Sequence, residues 1–470
     1  MKNKNIIFMF VSSLLFFSCD NSLDLNPEDS LTPAVVFSNE TLANSALNGV
    51  YSALQSSNVL SGSYDAATEW QADNVKFVGS FPTFNEIFNY NTLSDNTSIS
   101  GFWIAHYFAI SQANSIIKFV PDVPSQATNA FTDAEKAHII GQAKFVRALM
   151  YLKLSANFGH QLQQNLNGAN LSVPLVTEPF EGVVAYPKRS TLKEVHDQIE
   201  KDLLDAISSI LPTSTDRTKG TVAGAKAILA RLYLYQAKWP QAADFANQVI
   251  NTSGFSLATN FAFYNTLSTE FVFTLQNVAG DAAPAESYSN LFNGINFNGR
   301  GDCPFSDDLK ALFTSEAGDL RFSATLTRTG VNAISQPDLF TLKYPNAQTR
   351  TDDPPVIRIS EMFLIRAEAN LRGGLLVGGS TPVADVNRTR VRAGLASLVS
   401  VTLTDILNER RKEFCFEGLR RMDLLRNNLP LRRVGLPENA VSIPGADRTI
   451  YPIPQREMDI NPNLEQNKGY

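Results

Sequence analysis

The sequence predicts a mostly α-helical chain, in which tetratricopeptide-like helical hairpins form a scaffold with large irregular loop excursions and a few short strands. Three observations predict it: apolar residues recur at helical spacing in paired segments, small residues stand where paired helices would touch, and two long stretches rich in Asn, Ser, Gly and aromatics follow no helical period.

The first amphipathic segment is 39–55, with Leu42, Ala46, Val50 and Leu54 at four-residue spacing. Residues 57–100 then form the first irregular excursion. A helix over about 101–119 carries Phe102, Trp103, Tyr107, Ile110 and Asn114. Its partner, about 133–157, has the clearest local signature: Thr132 and Glu135 make a capping box, and Ile139, Ala143, Val146 and Met150 line one face. A second hairpin joins 222–236 to 240–250 through Ala237, Lys238 and Trp239. Its Ala225, Ala227 and Ala230, then Ala242, Ala243 and Ala246, resemble a tetratricopeptide unit, where small residues allow close approach. A third pair is predicted at 356–372 and 383–392. Uneven spacing between pairs argues for one scaffold ringed by loops. The second excursion, 251–355, has short β-like runs such as 270–275.

The N-terminus sets the compartment. Lys2 and Lys4 precede an apolar run over 6–17 that closes on Ser18-Cys19, the pattern of a secretory signal peptide, 1–18. That run is shorter than the roughly 20 apolar residues a membrane span needs. Cys19 stands where a lipoprotein would be acylated, although Phe16 occupies the place where Leu is usual. Residues 19–38, with Pro27 and Pro33, read as a lipid-anchored tether; 39–255 and 256–470 then pack together as one globular unit. The membrane is met only through the lipid anchor. A net charge of −6, from 40 basic and 46 acidic residues, argues against nucleic acid as a partner. Cys303 and Cys415 remain, and the helical context of Cys415 argues against their pairing without deciding it.

Catalytic chemistry finds no support. Glu409, Glu413 and Glu417 recur every four residues beside Arg410, Arg411, Arg420 and Arg421, as in a helix stitched by its own ion pairs. The four histidines, His106, His138, His160 and His196, have no metal-ligand spacing, so no metal and no cofactor is predicted. Neither a nucleophile elbow nor a phosphate loop occurs; the Gly373-Gly374 and Gly378-Gly379 pairs read as a helix cap and a loop. Binding without turnover is the expectation. Sugars lay apolar C–H faces on aromatic rings while amides and carboxylates hold their hydroxyls. Trp103 and Trp239 fall in packing patterns, but Trp70 does not. The candidate site is therefore Trp70 with Tyr64 as a stacking platform and Asp73 and Asn74 as hydrogen-bonding neighbours, faced by Tyr288, Phe292 and Asn293 from the second excursion.

Four C-terminal segments occur in a recognisable order: 355–369 (PVIRISEMFLIRAEA), 384–394 (ADVNRTRVRAG), 406–426 (ILNERRKEFCFEGLRRMDLLR) and 451–458 (YPIPQREM), with Asn461-Pro462 and a closing 466–470 (QNKGY). Together with 23–27 (LDLNP) after Cys19 and 47–51 (LNGVY), they resemble the SusD/RagB family over nearly the whole mature chain. The resemblance implies a helical lipoprotein on the outer membrane. It would sit as a lid over a SusC-like TonB-dependent transporter and capture an oligosaccharide or, on the RagB side, a peptide. A surface glycoside hydrolase and a protein-binding scaffold are the competing readings.

Overall fold

Capping residues mark where the helices begin. Thr132, Thr191 and Thr402 each close a capping box with the acid three residues on, satisfying backbone N–H groups that a helix start leaves free. The computed structural model describes residues 32–125, 130–164, 170–279, 286–432 and 439–470. The signal peptide, Cys19 and most of the tether lie outside them.

The principal helices, in chain order, are α1 (Glu40–Leu54), α2 (Ser63–Gln71), α3 (Pro82–Phe88), α4 (Thr97–Phe119), α5 (Asp133–Phe158), α6 (Leu192–Ser209) and α7 (Val222–Tyr235). There follow α8 (Trp239–Ile250), α9 (Asp307–Thr314), α10 (Ile359–Gly373), α11 (Pro382–Arg392), α12 (Leu403–Phe414), α13 (Arg420–Leu425) and α14 (Gln455–Ile460). The long ones pack in succession: α1 on α4, α4 on α5, and so on through α8, then α8 on α10, α10 on α11 and α11 on α12. The predicted hairpins are therefore links in one array. Four short strands complete the fold: β1 (Phe271–Phe273) pairs antiparallel with β4 (Ile357–Arg358), and β2 (Thr327–Val331) with β3 (Pro337–Thr341).

All six alanines named in α7 and α8 are fully buried, as are Ala143, Val146 and Met150 of α5. Glycine serves the same end where α5 meets α7: a Cβ on Gly224 would lie 3.2 Å from the Phe145 ring. The α7–α8 turn places Ala237 in the left-handed region, φ 57°. The stripe on α1 differs from the prediction. Ala43, Leu47, Val50 and Leu54 face the core while Leu42 and Ala46 flank it, because a strict four-residue repeat drifts by about 40° per step and the true stripe alternates three and four. No helix among the described residues is long and apolar enough to cross a membrane.

The 406–426 segment differs more. Its helix stops at Phe414, and Phe416 (φ 66°) and Gly418 (φ 75°) turn the chain before α13. Gly418 is required there, since an added Cβ would meet the Asp65 side chain at 2.9 Å. The glutamates do not pair with arginines of their own segment. Glu413 meets Arg358 (2.7 Å) and Arg392, Glu409 meets Arg321 (2.7 Å), and Glu417 meets Arg358 (2.9 Å) and Lys343 (2.7 Å). All are buried, so this cluster is the polar core of the C-terminal half. Burial alone would raise the Glu413 carboxyl, but Arg392, Arg358, Arg321 and Lys343 together outweigh it and hold the group well below the usual carboxylate range. Cys303 and Cys415 are both buried and free.

Candidate ligand-binding face

The two excursions meet along a zipper of backbone contacts. Gly62 bridges to Ser287 and Val75 to Phe305; Lys76 N donates to Pro304 O (3.0 Å) and Val78 N to Asp302 O (2.9 Å). Gly62 has no alternative here, because a Cβ would fall 1.9 Å from the Glu286 carbonyl oxygen.

The seven predicted site residues lie inside this seam. Trp70 is fully buried against Phe84 (ring centroids 4.4 Å) and Phe77 (5.4 Å), its Nε1 donating to Cys303 Sγ (3.1 Å). Tyr64 packs edge-on against Phe102, donates to Lys153 O (2.5 Å) and accepts from Asn157 (2.7 Å). Asp73 receives Arg420 (2.7 Å) and Asn74 receives Arg411 (2.9 Å). Tyr288 stacks on Tyr344 (4.7 Å) and donates to Asp65 (2.6 Å); Phe292 stacks on the same tyrosine; Asn293 donates to Ser289 O (2.8 Å) and Tyr344 O (2.6 Å). Tyr64 and Tyr288 line a shared internal cavity of about 60 Å³. The platform expectation is therefore corrected: these rings and amides are the local core that lets two large loops hold a shape, and their faces are taken by protein.

The solvent side of the same seam carries the chemistry a sugar needs. Phe81 is 39% exposed, and the Arg300 guanidinium lies 5.4 Å from its ring centre. Arg300 Nε is fixed by Asp302 Oδ2 (2.6 Å), whose carboxyl is raised by burial against the pull of that arginine. Next along the rim, the loop through Ile295, Asn296 and Asn298 is exposed, and Arg328 stacks 3.7 Å from the centre of the Phe297 ring. Gly299 makes the loop possible, since a Cβ would meet Asn293 O at 2.3 Å, and Asn298 takes the left-handed conformation (φ 63°). Ring faces, planar cations and exposed amides, of which Asn296 accepts from Val331 N (2.8 Å), thus lie along one rim.

A second surface is mainly apolar, with Arg456, Glu457 and Asn461 at its edge. Ile104 and Phe108 of α4, Val184 and Tyr186 of the following loop, and Ile460 of α14 border a groove of 490 Å³. Phe108 is 56% and Val183 82% exposed. At the far end of α4 Lys118 reaches Glu178 (3.6 Å) and Glu181 (3.8 Å), while its neighbour Phe119 packs on Phe37 (5.5 Å). Among the described residues no group of three or more His, Cys, Asp or Glu could hold a metal ion.

Residues 21–234 match the family described as "Starch-binding associating with outer membrane", and 337–470 match the SusD family. The chain belongs to the SusD/RagB family. SusD-like protein P38 of Formosa agariphila is 25% identical over 100% of this chain and 99% of its own. The starch-binding protein SusD of Bacteroides thetaiotaomicron is 36% identical over 25% of this chain and 22% of its own. A SusD superfamily crystal structure from B. thetaiotaomicron superposes with a TM-score of 0.80 at 26% identity, covering 90% of this chain and 98% of that one. A laminarin-binding SusD-like protein superposes at 0.73 with 25% identity, covering 92% and 100%.

Within this SusD/RagB fold, Phe81 and Arg300 were not singled out from sequence. A signal for Phe81 existed: Pro82 opens α3, which leaves Phe81 at the N-cap and free of the helix register that turns Trp70 inward. Arg300 had none, for only the fold brings it over Phe81.

Proposed function

We propose that this SusD/RagB protein is a cell-surface lipoprotein, anchored through acylated Cys19, that captures oligosaccharides without altering them and delivers them to a SusC-like TonB-dependent transporter. The observation that carries the ligand half is the Phe81–Arg300 pair with the exposed amides beside it, on the rim where the two excursions join. Membership of a family described as starch-binding and the likeness to a laminarin-binding protein support a glycan as cargo. For the partner half, the support is the groove, whose border gathers the exposed apolar side chains of Ile104, Phe108, Val184, Tyr186 and Ile460. Its occupant in this reading is the transporter.

The test is a glycan array followed by calorimetry on wild type and Phe81→Ala. A hit whose affinity falls about tenfold in the variant, the loss of roughly 1.4 kcal/mol of stacking, supports the rim site. Peptides binding where no glycan does would move the protein to the RagB side of the family. Copurification of a barrel from the native membrane, lost in Phe108→Asp, tests the groove, and release of Cys19→Ala into the medium tests the anchor.

A further inference from the structure

A third pocket, of 310 Å³, opens at the end of the α7–α8 hairpin opposite its turn, between the loop that enters α7 and the loop that leaves α8. Its chemistry is unlike that of the chain as a whole. The protein carries a net charge of −6, yet the pocket is lined by two cations, Arg217 and Lys226, and by no Asp or Glu. Hydroxyls of Ser214 and Ser253 complete the wall, with Phe255 at its base under the Arg217 guanidinium, 5.5 Å from the ring centre.

Neither cation is used up by the protein. Arg217 spends one terminal nitrogen on the Gly254 carbonyl (2.7 Å), and its Nε is buried with no partner among the described residues. Lys226 is half-buried on α7 and makes no hydrogen bond or ion pair among the described residues. The adjacent carboxylate, Asp216, turns instead to the backbone N and hydroxyl of Thr218 (2.9 and 2.7 Å). A buried guanidinium donor without an acceptor, next to an unpaired ammonium, is an arrangement completed by an incoming oxyanion: the planar fork suits two oxygens of one group and the lysine adds a point charge. A volume at the low end for ligand pockets limits the guest to about one or two sugar rings.

We infer that this pocket is a second glycan subsite that reads a sulfate ester or a uronate carboxylate carried on a sugar residue. The inference rests on the proposed saccharide cargo and is separate from the Phe81 rim, which belongs to other elements.

Calorimetry on the full mature chain with a sulfated oligosaccharide, its unsulfated counterpart and sodium sulfate alone tests it. The sulfated form should bind wild type about tenfold more tightly than the unsulfated one, a preference that weakens with added salt, as one charge-assisted contact of this kind implies. Lys226→Glu should abolish the preference while leaving the unsulfated affinity unchanged. Lys226→Gln should reduce it in part, and circular dichroism of both should match wild type because Lys226 holds nothing in place. Phe81→Ala should weaken the unsulfated saccharide while leaving the Lys226-dependent binding of the sulfated one in place. An unaltered ratio in Lys226→Glu, or no ratio in wild type that does bind the neutral glycan, overturns the anionic subsite and spares the proposed function. Sodium sulfate binding that Lys226→Glu removes, in a protein that takes up no saccharide at all, overturns the sugar assignment and the proposed cargo together.

Discussion

Helices α7 and α8 bury six alanines and meet through them, whereas α12, in the same array, buries Glu409, Arg410, Arg411, Lys412 and Glu413 within two turns. The first region is held by close apolar packing, in which each helix needs only a neighbour with a matching surface. The second is held by specific ion pairs that reach out to Arg321, Arg358 and Arg392 and, through Asp73 and Asn74, to the first excursion. Close packing builds a repeatable scaffold; buried charge ties particular loops to it at particular places. The loops that carry the candidate binding rim are thereby tied to the polar core, in addition to the contacts Tyr64 makes with α4 and α5.

That contrast can be broken most directly at Arg358, which touches Glu270, Glu413 and Glu417 in the interior. Arg358→Ala strands these carboxylates and should cost about 3–5 kcal/mol in chemical denaturation. A loss under about 1 kcal/mol would show the network to be dispensable. Trp70→Ala, at the apolar side of the seam, should cost a similar amount, about 3–5 kcal/mol, through the cavity left between Phe77, Phe84 and Cys303. In the array the sensitive direction is the reverse: Ala227→Leu should lose about 1–3 kcal/mol by overpacking, read from the shift in denaturation midpoint.

Acid sharpens the comparison further. Burial, aided by nearby Lys153, pulls His106 down to about 3 from an ordinary 6.5. The unfolded chain takes up that proton below pH 6.5 and the folded one refuses it until about pH 3. The stability from keeping His106 neutral is thus whole above pH 6.5 and is lost as pH falls from there towards 3. Between these limits His106→Gln should flatten the slope of stability against pH relative to wild type by up to about 1.4 kcal/mol per pH unit. Equal slopes in the two proteins would mean that the imidazole is already charged in the fold. The smallest structural effect belongs to the rim: Phe81→Ala should cost about 1 kcal/mol, from the lost contact with Phe84 (ring centroids 4.7 Å), although glycan affinity falls.

The array was legible because its signals are local. The box at Thr132 and Glu135, the alanines of α7 and α8 and the Gly374 cap with φ 62° each act within a turn or two of themselves. The site was not. Trp70 and Phe81 stand eleven residues apart in one aromatic-rich excursion, and their fates diverge because α2 points the indole at Cys303 while Pro82 holds Phe81 outside α3. Glu413 misled for the same reason: its four-residue spacing with Glu409 and Glu417 is real, but the helix ends at Phe414 and the partners come from 21, 55 and 92 positions away.

From its sequence alone this chain could be assigned its family resemblance, the paired helices at 133–157, 222–250 and 356–392 and the two excursions, though not α2 and α3 within the first of them nor the bounds of α6, since hydrophobic period, capping and turn chemistry depend on neighbours along the chain. Which aromatics stay wet, which arginine meets which glutamate, and that Arg217 and Lys226 share a pocket without an acid were decided only when distant segments packed. Burial and pairing belong to three-dimensional neighbours, and a residue's cost or use depends on them far more than on its type.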